Sequence, residues 1–415
     1  MSIPSPVTHS ESSILSDRTF FDDFAGKRSW EPGWFADFRK ENWEKACKLA
    51  SPLKDERWRF SQKSRLGFSN VTGLDSSEES VSFESSDPSE GVCLRKLDKV
   101  ILEEPDLLGG LQEFSGPGLG ADESFHFARA FSEAGFYLRA KRDVQVKEPL
   151  FIEHNPGGEN LARFHLNLIE LEPYSKLTLI ERLSSSVGDS NGFFTNLTMI
   201  KAGEGSRIER ILIQELNGQS TFHNLENFEV CADAHLSNVA VHLGSAQTRV
   251  ESKGCLSGEG AEFDISSLAL GRGKQLFDQR TMQHHLAPNG KSSLTFKNAL
   301  LDQAKSVFSG LIKVENGAGS TNAYQSNRNL LLSDTAKADS LPGLEILTND
   351  VKCSHGATTS KIDEQELFYL LSRGIPRSTA ERLIVLGFFE EVIEKIRIKD
   401  QLESVRESIS KSFDT

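Results

Sequence analysis

The chain has 415 residues, 37% of them hydrophobic, and a formal net charge of −13 at pH 7. That length accommodates two or three domains, and the acidic balance argues against a nucleic-acid binder, which would carry a basic face. No apolar run reaches the ~18–20 residues that span a bilayer, and the opening Met1-Ser2-Ile3-Pro4-Ser5-Pro6 lacks the basic and apolar stretches of a signal peptide, so no membrane partner is expected.

The five cysteines, Cys47, Cys93, Cys231, Cys255 and Cys353, are scattered and form no Cys-x-x-Cys pair. That usage fits a reduced, cytoplasmic protein better than a disulfide framework or a zinc finger.

Residues 1–17 are rich in Ser and Pro. From about Thr19 to Gln62 the pattern is helical and aromatic, and all four tryptophans (Trp30, Trp34, Trp43 and Trp58) lie there. Phe35, Phe38, Trp43 and Ala46 approximate one helical stripe, stopped by Pro52, so residues 1–72 are expected to form an N-terminal helical region packed by its aromatics. Residues 73–92 are dense in Ser, Asp and Glu and read as an acidic linker or insertion, expected to be disordered. Residues 121–134 predict a helix with Phe125, Ala128 and Phe131 on one side, after which Phe136-Tyr137-Leu138-Arg139 and Pro149-Leu150-Phe151-Ile152 read as strands.

From Leu161 to about Asp350 strand follows strand. Residues 164–169, 176–180, 210–213 and 239–243 alternate or run apolar. Corners of small residues recur between such strands: Pro173-Tyr174-Ser175, Ala202-Gly203-Glu204-Gly205-Ser206, Ala232-Asp233-Ala234-His235, Gly258-Glu259-Gly260-Ala261, Asn289-Gly290-Lys291-Ser292 and Asn316-Gly317-Ala318-Gly319-Ser320. Their spacing of roughly 25–31 residues lies in the range of solenoid repeats. A sandwich turns every ~8–12 residues. The expected fold is therefore mainly β, a parallel β-helix core over 93–360 including its lead-in, whose stacked coils share one interior.

After Lys361 the period becomes helical again, and residues 361–415 are expected to form a C-terminal helical domain. Asp363 can cap a helix carrying Leu367, Leu370 and Leu371 and ending at Gly374. Ser378-Thr379-Ala380-Glu381 reads as a capping box that opens a helix with Ala380, Leu383 and Ile384 inward, and the helical pattern continues from Phe388 to Ser412.

Few motifs carry chemistry. Gly290-Lys291-Ser292 resembles the end of a phosphate-binding loop, but the first glycine of that motif would fall at His285. His284 and His285 are adjacent, so a strand points them to opposite faces, one buried and one exposed, and they cannot chelate together. Cys353-x-His355 differs: residues two apart share a strand face, so thiolate and imidazole could meet one iron. A cluster takes about four ligands, so the pair is not a closed site. A buried cysteine beside a hydrogen-bonded histidine is the other reading of the same residues.

The stretch from Asn327 to Ile375 contains Asn327-Arg328-Asn329-Leu330-Leu331-Leu332-Ser333-Asp334, Leu344-Glu345-Ile346, Asp350-Val351-Lys352-Cys353-Ser354-His355-Gly356-Ala357-Thr358 and Leu367-Phe368-Tyr369-Leu370-Leu371-Ser372-Arg373-Gly374-Ile375. It resembles the signature of the SufB/SufD family, scaffold subunits of the SUF iron–sulfur cluster assembly machine, and is closest to the SufD branch. Residues 52–60, 125–154, 308–314 and 321–325 extend the resemblance over most of the chain.

The resemblance implies a right-handed β-helix flanked by N-terminal and C-terminal α-helical regions, and a non-enzymatic scaffold. It implies pairing with a SufB-like subunit through the β-helix ends, with a homodimer as an option for the isolated chain, and docking of the SufC-like ABC ATPase on the C-terminal domain. His355 maps onto the family's interface histidine, facing a transient iron or nascent cluster, with Cys353 as a second candidate. SufB-like chains carry Cys where this chain has Arg328 and Glu where it has Gly356, and both differences point to the SufD branch. The ATPase contact is expected around Thr379, Leu383, Phe388 and Phe389, while Leu367 and Phe368 are expected to pack against the β-helix. A flavin is associated with complexes of the family, although no residue here marks a site for one. The rival from another class is a β-helix carbohydrate enzyme (a polysaccharide lyase or hydrolase), which would show clustered acids on one face.

Overall fold

The structure is a computed structural model that describes residues 13–49, 55–61, 66–76, 80–83, 90–185, 188 and 190–413. The N-terminal part contributes α1 (Arg18–Gly26), α2 (Gly33–Lys48), β1 (Gly73–Leu74), β2 (Val81–Ser82), β3 (Val92–Lys96), α3 (Leu97–Glu103) and α4 (Asp122–Phe131). The solenoid strands follow as β4 (Phe136–Ala140), β5 (Leu150–His154), β6 (Leu161–Leu171), β7 (Lys176–Ser184), β8 (Phe193–Ala202), β9 (Arg207–Glu215), β10 (Thr221–Val230) and β11 (His235–His242). They continue as β12 (Gln247–Leu256), β13 (Glu262–Gly271), β14 (Leu276–His285), β15 (Lys291–Leu300), β16 (Lys305–Val314), β17 (Thr321–Leu331), β18 (Lys337–Ile346) and β19 (Val351–Lys361). The chain closes on α5 (Glu364–Ser372), α6 (Arg377–Ile393) and α7 (Lys399–Lys411).

Each coil gives one strand to each of two sheets. The first sheet runs β18-β16-β14-β12-β10-β8-β6-β4-β3 and the second β19-β17-β15-β13-β11-β9-β7-β5-β2. Pairing is parallel from β4 and β5 onward, and the result is a β-solenoid of about eight turns. A solenoid of this kind needs every coil to turn in the same place, and the small-residue corners do this. Tyr174, Gly205, Asp233, Gly260, Asn289 and Ser320 all have positive φ. Each left-handed residue donates its N–H to a corner carbonyl of the next coil, as in Tyr174 to Glu204 at 2.8 Å, Asp233 to Glu259 at 2.9 Å and Asn289 to Gly319 at 2.9 Å. Glycine is needed at 205 for a second reason: a Cβ there would lie 2.5 Å from the Tyr174 ring.

The N-terminal helices cover the outer face of the first sheet. α2 buries Phe35, Phe38, Trp43 and Ala46, the stripe expected from sequence. These residues form one core with Phe127 and Phe131 of α4 and with Phe164, Phe193, Leu197 and Met199 on the outward positions of β6 and β8. Residues 55–61 lie over the same sheet further along. Trp58 sits 4.2 Å under the Arg249 guanidinium and donates to Gly120 O at 2.9 Å, while Arg280 donates to Arg59 O at 2.8 Å. The aromatic expectation does not extend to Trp30, which is exposed.

Residues 73–92 are more than a tether. β1 adds in parallel to β6, β2 pairs antiparallel with β5, and Asp75 is buried, accepting from Gly157 N–H at 3.1 Å. Hydrophobic Leu74 and Val81 supply the burial that a purely acidic reading of the segment overlooks. Positions 77–79 and 84–89, for which disorder was also expected, lie outside the described residues.

The C-terminal helices cover the outer face of the second sheet. Val385, Phe389, Val392 and Ile393 of α6 pack on Ile211, Ile213, Val239, Val241 and Leu268. Lys297 pairs with Glu391 at 2.7 Å and Arg397 with Glu209 at 2.9 Å, tying α6 and the turn after it to the solenoid. Asp363 caps α5 as expected, accepting from Gln365 N–H and Glu366 N–H. The capping box at Ser378 does not form. α6 starts earlier, with Pro376 at the N-cap, and Glu381 pairs instead with Arg377 at 2.8 Å. Proline fixes the φ that a helix start needs, which lets the helix begin ahead of the serine. The inward set shifts with it: Val385 is fully buried while Leu383 is exposed. The helix expected over 388–412 is broken between Ile393 and Lys399.

Candidate functional site

The solenoid has one covered end and one open end. β2 and β3 close the first end by antiparallel pairing and the N-terminal helices flank it. At the other end, among the described residues, β18 and β19 each have a sheet neighbour on one side only. Their outer edges present unpaired backbone N–H and C=O groups, the template for adding a further strand. The interior is open here as well. Leu344 and Ile346 stand in register with Ile312 and Val314 of the coil below. They are 39% and 37% exposed, against 0% for Ile312 and Val314, because no next coil covers them. Leu347 and Tyr324 add exposed apolar surface nearby.

Cys353 and His355 lie on β19 at this open end. Cys353 is in register with buried Ala323, and His355 with buried Gln325. Gln325 reaches across the interior to Gly310 O at 3.3 Å, so its position faces the lumen, and the two-residue period puts Cys353 and His355 on that same face. Cys353 packs beside Ile312, Val314 and Ala323, whereas His355 is exposed. Burial pushes the Cys353 thiol up from its ordinary value, so at neutral pH it is protonated. Among the described residues no group of three or more His, Cys, Asp or Glu side chains is placed to hold a metal ion. What the open end offers is a thiol and an imidazole, side by side on one uncovered strand.

Arg328 and Gly356 are both available at the surface. Arg328 is exposed on the outward side of β17, with its guanidinium 4.0 Å from Glu391. A Cβ at Gly356 would meet nothing within 4 Å, so the position has room for the larger residue found in the SufB branch.

The residues expected to contact an ATPase divide. Leu383 is exposed, but Phe389 is fully buried against the second sheet, and Phe388 is partly buried, with Lys297 Nζ 5.1 Å from its ring centroid. Phe389 therefore cannot face a partner while α6 is seated, and Thr379 is only partly exposed. The helical period does not separate these residues: an apolar stripe reads identically whether the solenoid or a partner covers it. Phe368 corrects in the opposite sense. It was expected to pack on the β-helix, yet it is 71% exposed, while Leu367 beside it is buried. Tyr369 is 57% exposed, and a cleft between α5 and α6 is lined by Tyr369, Leu370, Leu383 and Ile384.

Sequence reading also missed a charged cluster inside the solenoid. Arg210 Nε donates to Glu181 at 2.5 Å, Arg210 Nη1 to Glu226 at 2.5 Å and to Asn238 at 3.0 Å, and His154 Nε2 lies 3.0 Å from Glu181. Burial would raise the Glu181 carboxyl, but the Arg210 and His154 charges bring it down to about 2. A charged residue on the inward parity of an otherwise apolar strand, as Arg210 is in β9, was the available signal. His284 and His285 separate as expected: His285 is buried against Ser292, and His284 pairs with Glu315 at 2.9 Å on the outside.

A family model described as the SufBD core domain of SUF-system FeS cluster assembly matches residues 154–388. That span runs from the first full coils through the open end to α6. The chain belongs to the SufBD family. It is 26% identical to the iron–sulfur cluster assembly protein SufD of Bacillus subtilis, over 94% of this chain and 97% of that protein. It is 30% identical to SufD of Escherichia coli, over 67% of this chain and 66% of that protein. It is 35% identical to a SufBD family protein of Mycobacterium leprae, over 65% of this chain and 70% of that protein. The family assignment displaces the carbohydrate-enzyme reading. Among the described residues no helix is long and apolar enough to cross a membrane.

Proposed function

We propose that this SufD-like chain is a non-enzymatic scaffold subunit of SUF iron–sulfur cluster assembly. It pairs through the open end of its solenoid with a SufB-like subunit, and it docks a SufC-like ABC ATPase through its C-terminal helices. The nascent cluster is cargo, assembled where the two solenoid ends meet.

The observation that carries this reading is the uncapped coil β18–β19, which combines unpaired strand edges, half-exposed Leu344 and Ile346, and the lumen-facing pair Cys353 and His355. Two donors fall short of the roughly four that cluster iron takes, so a ligand set is completed only by a second chain. A site shared between two chains can be opened and closed by moving one chain against the other, which is what a transient product requires. For the ATPase, the exposed Phe368 and Tyr369 on α5 with Leu383 on α6 supply an aromatic docking surface of the kind that carries protein interfaces.

Co-expression with a SufB-like and a SufC-like protein, followed by size-exclusion chromatography, tests the arrangement. The wild-type chain should elute with both. Leu344→Asp/Ile346→Asp should lose the SufB-like subunit and keep the ATPase. If that variant still assembles with the SufB-like chain, the open end is not the pairing surface.

A further inference from the structure

The interior of the solenoid carries more polar surface than a dry core tolerates. Inward positions of the first sheet line up coil after coil: His165, Asn196 and Asn224 form one column, and Asn167, Thr198 and Glu226 the next. Some of these groups satisfy one another. Asn167 donates to Asn196 at 2.8 Å, Asn196 to Asn224 at 3.3 Å, and Asn224 to Glu226 at 2.8 Å.

Others have no protein partner. His165 Nε2, Asn238 Nδ2, both ring nitrogens of His242, Thr281 Oγ1 and Gln325 Oε1 are buried and unpaired. All five residues are at most 2% exposed. Each sits on the inward parity of its strand, as the cross-lumen bonds of Arg210 to Glu226 and Gln279 to Ser267 establish for the neighbouring positions.

Leaving a buried polar group without a partner costs about 1–3 kcal/mol. Six such atoms would cost about 6–18 kcal/mol, as much as the whole net stability of a typical domain at ~5–15 kcal/mol. A dry interior is therefore incompatible with a stable solenoid. The orphaned set also restricts what fills it. Asn238 Nδ2 can only donate, Gln325 Oε1 can only accept, and a neutral His242 needs one partner of each kind. A cation would serve only the acceptors and an anion only the donors. Water serves both.

We infer that the lumen holds ordered water at separate polar sites, beside His165, Asn238, His242 and Thr281 and beside Gln325 one coil beneath His355, with apolar Ile265 and Leu294 in register between Asn238 and Gln325. Buried waters of this kind make 2–4 hydrogen bonds each, so a handful serves the orphaned atoms. The inference stands on the interior of this chain and does not depend on the proposed partners.

A crystal structure of the full wild-type chain at about 2 Å or better, with a second data set under xenon pressure, tests it. The expected result is ordered density within hydrogen-bond reach of both His242 nitrogens and of Gln325 Oε1, and no xenon in the lumen, because xenon enters dry apolar cavities. Thr281→Val should lose the density beside residue 281 and retain the rest. Xenon in the lumen would overturn the inference. So would side chains that turn to pair directly with one another and leave no density between them.

Discussion

Arg210→Met tests how the buried charges hold the solenoid together. The guanidinium binds Glu181 and Glu226 at 2.5 Å each, one carboxylate from either sheet, and all three side chains are at most 1% exposed. Methionine keeps much of the volume and removes the charge, stranding two buried carboxylates without the guanidinium that pairs with both. Breaking a buried pair in this way costs about 3–5 kcal/mol, a large fraction of the ~5–15 kcal/mol that holds a typical domain folded. Urea unfolding followed by circular dichroism should show a clearly lower midpoint at pH 7. The pH dependence gives the sign. In the variant the carboxyls take up protons more readily, and a neutral acid is cheaper to bury, so the deficit should shrink as pH falls towards 5. In the wild type Glu181 is held at about 2, so its contribution is fully present above about pH 4.5 and is lost as pH falls from there through 2. Adding Glu181→Gln and Glu226→Gln to Arg210→Met should restore most of the lost stability. A fall below about 1 kcal/mol for the single variant, or no recovery in the triple variant, would refute the reasoning.

Other expectations concern the two ends of the chain and the buried histidines. Phe368→Ala/Tyr369→Ala should weaken capture of the ATPase without moving the thermal midpoint, because both rings are exposed, whereas Phe389→Ala should destabilise by about 3–5 kcal/mol through a core cavity; equal behaviour of the two in pull-down and melting assays would contradict the placement of α6. Burial holds His223 at about 3 and His242 and His285 at about 4, so the folded chain stays neutral at these sites while the unfolded chain takes up protons below about pH 6.5. Their stabilising contribution is therefore present above pH 6.5 and declines as pH falls towards 4, by about 1 kcal/mol per pH unit for each residue. A urea midpoint that stays constant from pH 7 to 5 would show that they titrate freely. Gly205→Ala combines a φ of 62° with a Cβ 2.5 Å from the Tyr174 ring, and should lower the melting temperature more than Gly273→Ala, where φ is 56° but nothing lies within 4 Å.

The solenoid was legible because its repeat is written twice, in the strand alternation and in the corners. Tyr174, Asp233, Asn289 and Ser320 are polar or aromatic residues in left-handed conformation, so a search for glycine alone would have missed four of the six corners, but the small residues around them kept the period visible. The Cys353 and His355 pair was legible because strand parity is a local property. What stayed hidden depends on what covers a surface. Nothing in the periodicity of α6 says that Phe389 meets the solenoid and Leu383 meets solvent. Phe368 and Leu367 are adjacent on α5, and only the tilt of that helix decides that one is buried and the other exposed. The interior ion cluster was harder to read for a related reason: Arg210 stands out on the inward parity of β9, but its partners Glu181 and Glu226 lie 29 and 16 positions from it and meet it only once the coils stack.

In the proposed arrangement cargo is assembled at the open end through His355. The most direct measurement is the iron and acid-labile sulfide content of the complex reconstituted anaerobically with a SufB-like and a SufC-like protein, comparing wild type with His355→Ala. Because His355 is exposed and lines no core, the variant should fold and assemble normally. The expected result is an intact complex that has lost most of its iron and sulfide. An intact variant complex with undiminished iron and sulfide would contradict it.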